Sequence, residues 1–510
     1  MELQIAKRCI KAMEILPEEV SEESLDCDLL LPDYLPDIAA IFKCIAEPMV
    51  QHHQISGDRV MVEGTTKIQI LYSDEERNNV YTFETVQAFG CSFPLKETKD
   101  DSFIKFFAQN NVVNCRAISP RRVDIHGTFS VKLIRYAERE KICLELPLEK
   151  ECQTKVETVP YSRLVGGKSK SFTINETLEL ADSVEAHTLL RSSAVSHVTE
   201  CKAIKNKAIV KGEVFLRTIY VMNGESGKIG CSENHIPFSQ IVDLEGLEED
   251  HLCFCQTAVS HCEVHPAQTT VGENKLLSVS LKINLELGAF CTENVSVLTD
   301  AYRTDCTIKN SMELMEFCAV TTAENRLESA SATWELPDTE IEYPEDLWCD
   351  IESVSESLRD EGKILAIAAT VSMLTRNKNH SLAFYERPIE LNVPLQGLAE
   401  SNQIRINVLK TAWRIQGTFC ELTVTLAVEF CTSAIRKIQT VSEMEMMEKE
   451  NDEGKEKKEK CCAKIYFAEK GESVWEIGKK HRIAIENVCY ENNLTADDVL
   501  QNDCMIMLTP

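Results

Sequence analysis

The chain has 510 residues, 44% of them hydrophobic, too long for one core and apolar enough for several, so three or four folded units are expected. Its 82 acidic against 54 basic residues give a formal net charge of −28, which opposes a phosphate backbone or an anionic bilayer; nucleic acid is not an expected partner. The N-terminus shows no apolar run of signal-peptide length and the chain none of bilayer-spanning length, so a cytoplasmic protein without membrane insertion is expected. The 22 cysteines are irregularly spaced and read as free thiols in a reducing compartment, most of them serving as small buried hydrophobes.

In chain order, the first marker is Leu31-Pro32-Asp33, where proline and aspartate suit a turn or a helix start. Asp33 and Asp37, four apart, read as caps for a short helix over Ile38 to Ile45 rather than as an acid/base pair, since no companion nucleophile stands nearby. Val60, Val62, Gly64, Thr66, Ile68, Ile70 and Tyr72 then alternate as a strand. Phe93-Pro94-Leu95 places a proline where a strand edge or sheet entry tolerates a missing N–H. A second alternating ribbon runs through Val123, Ile125, Gly127, Phe129, Val131 and Leu133.

The same order recurs twice at a period of about 150 residues, the length of a domain and too long for a solenoid repeat. The second copy shows Leu180-Ala181-Asp182, a strand over Ala208 to Tyr220 with Gly212 in phase, Ile236-Pro237-Phe238, and a ribbon from Leu277 to Leu287. The third shows Leu336-Pro337-Asp338, a strand over Ile364 to Leu374 with Ala368 in place of the glycines, Val393-Pro394-Leu395, and a ribbon from Leu422 to Phe430. Strands with one apolar face need a second layer, so each copy is expected to be an antiparallel β-rich sandwich or half-barrel with minor helix. The expected divisions are 1–160, 161–320 and 321–442.

Two other segments have metal-like or phosphate-like spacing. His251, Cys253, Cys255, His261, Cys262 and His265 offer zinc-type ligands, but the spacing fits no standard knuckle and Cys253 and Cys255 share a strand face, so no metal is expected. Gly166-Gly167-Lys168-Ser169 lacks the earlier glycine of a phosphate loop, since Ser162 stands there, and reads as a plain loop; no cofactor is expected.

Residues 443–463 are almost wholly charged and read as a flexible tether, with Cys461-Cys462 at its end. Beyond it, Ile465–Phe467 reads as a strand, Ser473–His481 as a helix capped by Ser473, Ile485–Asn492 as a second helix and Met505–Leu508 as a closing strand. Trp475 is expected to pack a small core rather than stack on a sugar.

Over 464–510, Tyr466, Gly471-Glu472-Ser473-Val474-Trp475-Glu476-Ile477, Asn492-Asn493-Leu494 and Leu508-Thr509-Pro510 resemble the LysM pattern. The resemblance implies a groove for N-acetylglucosamine polymers between two loops: Gly471, Glu472, Ser473 and Val474, and Gln501, Asn502, Asp503 and Cys504. Glu472 stands for the usual aspartate and Gln501-Asn502-Asp503 for a Pro-Gly-Gln turn, which puts a protein ligand ahead of peptidoglycan.

Leu31-Pro32-Asp33-Tyr34-Leu35-Pro36-Asp37-Ile38, Ile236-Pro237-Phe238-Ser239 and Thr299-Asp300-Ala301-Tyr302 resemble the SPOCS domain of endospore-forming bacteria, over about residues 15–440. With the LysM-like end, the whole resembles the clostridial SipL-like spore coat assembly family. That resemblance implies a non-enzymatic protein of the mother cell that joins the coat's basal-layer scaffold ATPase to the forespore surface.

Overall fold

The computed structural model describes residues 7–95, 102–144, 151–180, 185–223, 228–269, 272, 275–336, 341–359, 362–394, 401–447 and 463–509. Three two-sheet units follow one another. The first holds β1 (Lys7–Ile15), β2 (Glu19–Leu30), β3 (Ala40–Ser56), β4 (Arg59–Ser73), β5 (Val80–Pro94), β6 (Ser102–Ser119) and β7 (Arg122–Leu144). The second holds β8 (Cys152–Glu179), β9 (Ala186–Ile204), β10 (Lys207–Met222), β11 (Ile229–Asp243), β12 (Leu252–Ala267) and β13 (Leu276–Arg303). The third holds β14 (Ile308–Glu335), β15 (Ile341–Arg359), β16 (Gly362–Asn377), β17 (Leu382–Pro394), β18 (Ser401–Gln416) and β19 (Phe419–Met446).

Each unit pairs one short sheet (β3-β4-β5, β9-β10-β11, β15-β16-β17) with one long sheet (β12-β13-β8, β14-β19-β18, and β7 with β1, β2 and β6), all antiparallel. The strand that is continuous as β8 and β14 is broken into β1 and β2 at Pro17, which has no N–H to give to β7. The alternating ribbons are the central strands β7, β13 and β19, whose inward side chains, among them Ile125, Val131, Leu281, Leu285, Leu422 and Val428, are fully buried. At about 1.5–3 kcal/mol for each such aliphatic side chain, these faces supply the driving force of each unit. The antiparallel β class read from alternation is what the structure shows.

Three local readings are corrected. Ala40 to Ile45 is the start of β3 rather than a helix, because Lys43 to Ala46 find ladder partners in Ile68 to Leu71. Among the described residues the only helices lie after residue 470. Gly166-Gly167-Lys168-Ser169 is strand, not loop: it pairs with Glu286 to Ala289 within β8, and the Phe103 ring packs where a Gly167 side chain would stand. The tether does not begin at 443, because Glu443–Met446 complete β19 against β14. Residues 448–462 with Cys461-Cys462, Ala181-Asp182, Pro337-Asp338 and Leu395 lie outside the described residues. The divisions expected after 160 and 320 fall inside β8 and β14.

The phased glycines have a physical reason. Gly64 and Gly212 each face a β-bulge in the neighbouring strand, between Val50 and His52 and between Val198 and Glu200. The bulge drives a carbonyl, Met49 O or His197 O, into the space a side chain would need, while the Phe89 or Phe238 ring covers the other side. In the third unit the equivalent bulge, between Ile351 and Ser353, puts Ala369 rather than Ala368 at this position. Pro94 and Pro394 end edge strands as expected, whereas Pro237 sits mid-strand opposite Glu213, out of register with them.

The units form one body. Beyond their sandwich halves the long sheets continue as two-stranded ribbons that pack together, with Ile10 and Cys143, Val159 and Val297, and Phe317 and Ile438 in one core. A second shared core joins Met13, Tyr136, Leu164, Phe254, Phe290, Cys318 and Cys431. None of the twenty described cysteines is disulfide-bonded, and all but Cys9 and Cys231 are buried or half-buried.

Candidate functional site

The C-terminal domain orders as β20 (Lys464–Ala468), α1 (Val474–His481), α2 (Ile485–Asn492) and β21 (Cys504–Leu508). Ser473 caps α1, its hydroxyl accepting from the Glu476 N–H at 3.2 Å, and Arg482 ends the helix in the left-handed region. Ala468, Val474, Ile477, Val488, Leu500, Ile506 and Leu508 form its core. The β-α-α-β order expected from the sequence is present.

The two candidate loops do lie together, but much of the main chain of the first, Gly471–Val474, is already engaged. Gly471 N–H donates to Leu500 O at 2.8 Å, Val474 N–H to Asp498 O at 3.0 Å, and Leu500 N–H to Glu472 O at 3.0 Å. Lys470 N–H donates to the Asp503 carboxylate at 2.8 Å, which ties the second loop to the first. Glu472 accepts from Glu469 N–H at 3.0 Å and from the Tyr466 hydroxyl at 2.8 Å, and these bonds hold its carboxyl below the usual carboxylate range, the backbone bond contributing most. Gly471 has φ +95°, a conformation that favours glycine. Ser473 bridges Val499, Gln501 folds onto Val499 O at 3.1 Å, and Cys504 opens β21 while Asn502 stays exposed.

On the outer face of the two-stranded β20–β21 sheet, Ile465 stands opposite Met507 and Phe467 opposite Met505, all four exposed. Phe467 is 67% exposed, so this is a solvent-facing apolar quartet on a small domain whose other face is its core.

Trp475 is 3% exposed, but it is not part of the domain's own core. Its indole N–H donates to Asp300 Oδ2 at 2.7 Å and its ring meets Tyr302 edge-on at 5.0 Å between centroids. Lys479 Nζ binds both Asp300 oxygens at 2.8 and 2.7 Å, Tyr302 Oη donates to Ile483 O at 2.7 Å, and Ile485 N–H donates to Gln153 Oε1 at 3.0 Å. Arg482 also donates to Thr307. Asp300 and Tyr302 thus anchor α1 to the ribbon end of the second unit. Charge-assisted bonds of this kind contribute about 1.5–3 kcal/mol each. Asp300→Ala is therefore expected to undock the domain: amide exchange of Gln153–Lys155 and of Ile483–Ile485 should rise more than tenfold, with the α1 and α2 interior unchanged.

Sequence reading missed a buried charge cluster where the three units meet. Ile134, Gly288 and Cys431 are each the thirteenth residue of β7, β13 and β19, and opposite them stand Lys105, Phe254 and Gln403. Lys105 is 1% exposed, with its ammonium 3.7 Å from the Phe254 ring centroid and no hydrogen-bond partner. Burial pushes it down to about 8, against the pull of nearby groups that include Glu286 and Glu429. Burial pushes Glu286 up to about 7 and raises Glu429, with Lys105 and Arg405 opposing both shifts. Arg405 lies 3.8 Å from Glu429.

The remaining candidates are dispersed. Arg121 gathers Asp37 at 2.7 Å, Asp33 at 3.8 Å and Pro32 O at 2.7 Å, so the carboxylates pin a loop rather than cap a helix. His261 and His265 flank Glu263 at 3.7 and 2.9 Å on an exposed strand face, His251 lies beside Asp250 at 4.0 Å, and Cys255 is buried inside the second unit. Among the described residues no group of three or more His, Cys, Asp or Glu side chains is placed to hold a metal ion, and no helix is long and apolar enough to cross a membrane.

No curated protein and no solved structure matches the chain. Residues 37–138 and 185–266, which lie in the first and second units, match the family model of the SipL SPOCS domain.

Proposed function

We propose that this is a non-enzymatic spore coat assembly protein of the mother cell that links coat scaffold components at the forespore surface. In this reading the three two-sheet units, Lys7–Leu144, Cys152–Arg303 and Ile308–Met446, are three SPOCS-like modules, and 464–510 is a LysM-like domain that binds protein. The SPOCS-like segments support the coat assignment. The observation that carries the protein-binding role is the exposed quartet Ile465, Phe467, Met505 and Met507: an apolar sheet face suits a protein surface better than a hydroxyl-rich glycan. The basal-layer scaffold ATPase is the partner implied by resemblance.

The second reading, peptidoglycan binding through Gly471–Val474 and Gln501–Cys504, is disfavoured by the internal use of the first loop's main chain. Cosedimentation of the full chain with purified peptidoglycan separates the two. No retention is expected; saturable retention that Gln501→Pro or Asn502→Gly alters would establish the glycan reading instead.

A further inference from the structure

In the first two units, thiols from the short sheet meet thiols from the long sheet. In the first unit β3 and β6 are edge strands of opposite sheets that come within 8 Å of each other, Cα to Cα. Asn110 of β6 fastens the two by donating to Ala46 O of β3. Cys44 of β3 and Cys115 of β6 both turn into this seam, half-buried against the unit's core, and the Cys44 thiol donates a hydrogen bond to Cys115 Sγ. Cys27 of β2 lies beside them, its own thiol donating to Gln87 Oε1 at 2.8 Å.

We infer that Cys44 and Cys115 form a redox site, at which a small-molecule disulfide oxidises the pair to a cystine that staples the short sheet of the first unit to its long sheet. The site lies in the β-rich body and does not rest on the role of the C-terminal domain.

The chemistry needs two thiols in unequal roles, and the bond between them supplies the inequality. The hydrogen bond from Cys44 holds Cys115 below the usual thiol range, against burial and Asp124, which makes Cys115 the nucleophile. The same bond, and then burial, push Cys44 well above that range, which makes it the resolving thiol. The Cys115 thiolate attacks one sulfur of the small disulfide, whose S–S bond breaks and releases one thiolate. Cys44 then loses its proton and attacks Cys115 Sγ, releasing the second thiolate. The protein gives up two protons and two electrons, and the small disulfide becomes two thiols. The new cross-link spans β4 and β5, so it closes a long loop of the unfolded chain, the case in which a disulfide stabilises most.

The second unit repeats the contact without the activation. There β9 and β12 approach in the same way, and Cys201 accepts from Cys253 and donates to Cys255. The bond from Cys253 pulls Cys201 down, but the bond it gives to Cys255 and its burial carry it above the usual thiol range. The bond that Cys253 gives and its burial raise that thiol as well, so this pair closes more slowly. The first unit is therefore the reactive one, and the second is its internal comparison.

The test is to hold the full-length protein at neutral pH in glutathione disulfide, quench with an alkylating agent and map cystines by peptide mass spectrometry, before and after dithiothreitol. The expected result is a Cys44–Cys115 cystine that forms at least tenfold faster than Cys201–Cys253, is reversed by dithiothreitol and raises the thermal midpoint by roughly 5 °C. Cys44→Ser is expected to stop at a glutathione adduct on Cys115, and Cys115→Ser to leave residue 44 unmodified. Mapping of the parent protein decides the matter if either variant does not fold. A Cys44–Cys115 pair that stays reduced, closure at Cys201–Cys253 first, or a cystine that leaves the midpoint unchanged would overturn the inference.

Discussion

Lys105→Met is expected to destabilise the protein by about 1–2 kcal/mol more at pH 8 than at pH 5. Glu286 has a folded-state value near 7, above its unfolded one, so its stabilising contribution is complete below about 4.5 and is lost as pH rises through 7. Above that window half-buried Glu286 is ionised in the cluster that also holds buried Glu429, and the ammonium of Lys105 is the opposing charge contributed by the first unit. Lys105 has the opposite sign: burial lowers it to about 8, so its charged form costs stability below 8 and that cost is relieved as pH rises toward its unfolded value.

At pH 8, near its own value, Lys105 is about half protonated, and replacing it leaves half-buried Glu286 and buried Glu429 with Arg405 as their remaining counter-charge. At pH 5 Glu286 is protonated, and a methionine of similar length packs on Phe254 without a buried charge. Denaturation midpoints at the two pH values measure the difference. Equal losses at pH 5 and pH 8 would show that Lys105 acts through packing alone. Replacing Lys105, Glu286 and Glu429 together by Met, Leu and Leu should restore stability, because it removes the burial cost of all three charges.

Gly64→Val and Gly212→Val are each expected to cost about 3 kcal/mol or more, at the upper end of overpacking penalties. The reason is specific: the first atom of the new side chain collides with the backbone carbonyl of Met49 or His197, and a carbonyl held by a bulge cannot swing away as a side-chain end can. Phe89 and Phe238 would have to leave the opposite side at the same time. Ala369→Gly in the third unit, where the chain already carries a side chain at the equivalent bulge, should cost only about 1 kcal/mol through backbone entropy. Circular dichroism melts of the three variants provide the comparison, and a Gly212→Val protein as stable as the parent would show that the bulge is soft.

These sites mark how far the sequence was legible. Alternation in Val60–Tyr72, Ala208–Tyr220 and Leu422–Phe430 identified central strands because each has one buried face, and the β-α-α-β order of the end domain followed from Ser473, helical spacing and two short apolar runs. Ile38–Ile45 was misread because Pro36 and Asp37 suit a helix start as well as a strand entry, and the ladder partner that decides the matter lies in β4. The Ala368 position was off by one because a bulge shifts register without leaving a composition signal.

The buried cluster left a trace in single charged residues between core hydrophobes: Phe103-Ile104-Lys105-Phe106-Phe107, Leu285-Glu286-Leu287 and Val428-Glu429-Phe430. What local pattern does not contain is that these three meet, since they come from three units. The same holds for Trp475. Helical spacing correctly made it a packing residue, but its partners, Asp300 and Tyr302, stand more than 170 residues earlier, where they entered only through the SPOCS resemblance.

The most direct test of the assembly role is binding between this full-length protein and the purified scaffold ATPase of the coat, measured with Phe467→Asp/Met505→Asp as the comparison. Submicromolar binding that the double variant weakens at least tenfold, with folding and docking of the end domain intact, is the expected result. Equal binding by both proteins, or none by either, would contradict the claim that the exposed β20–β21 face joins this protein to the coat.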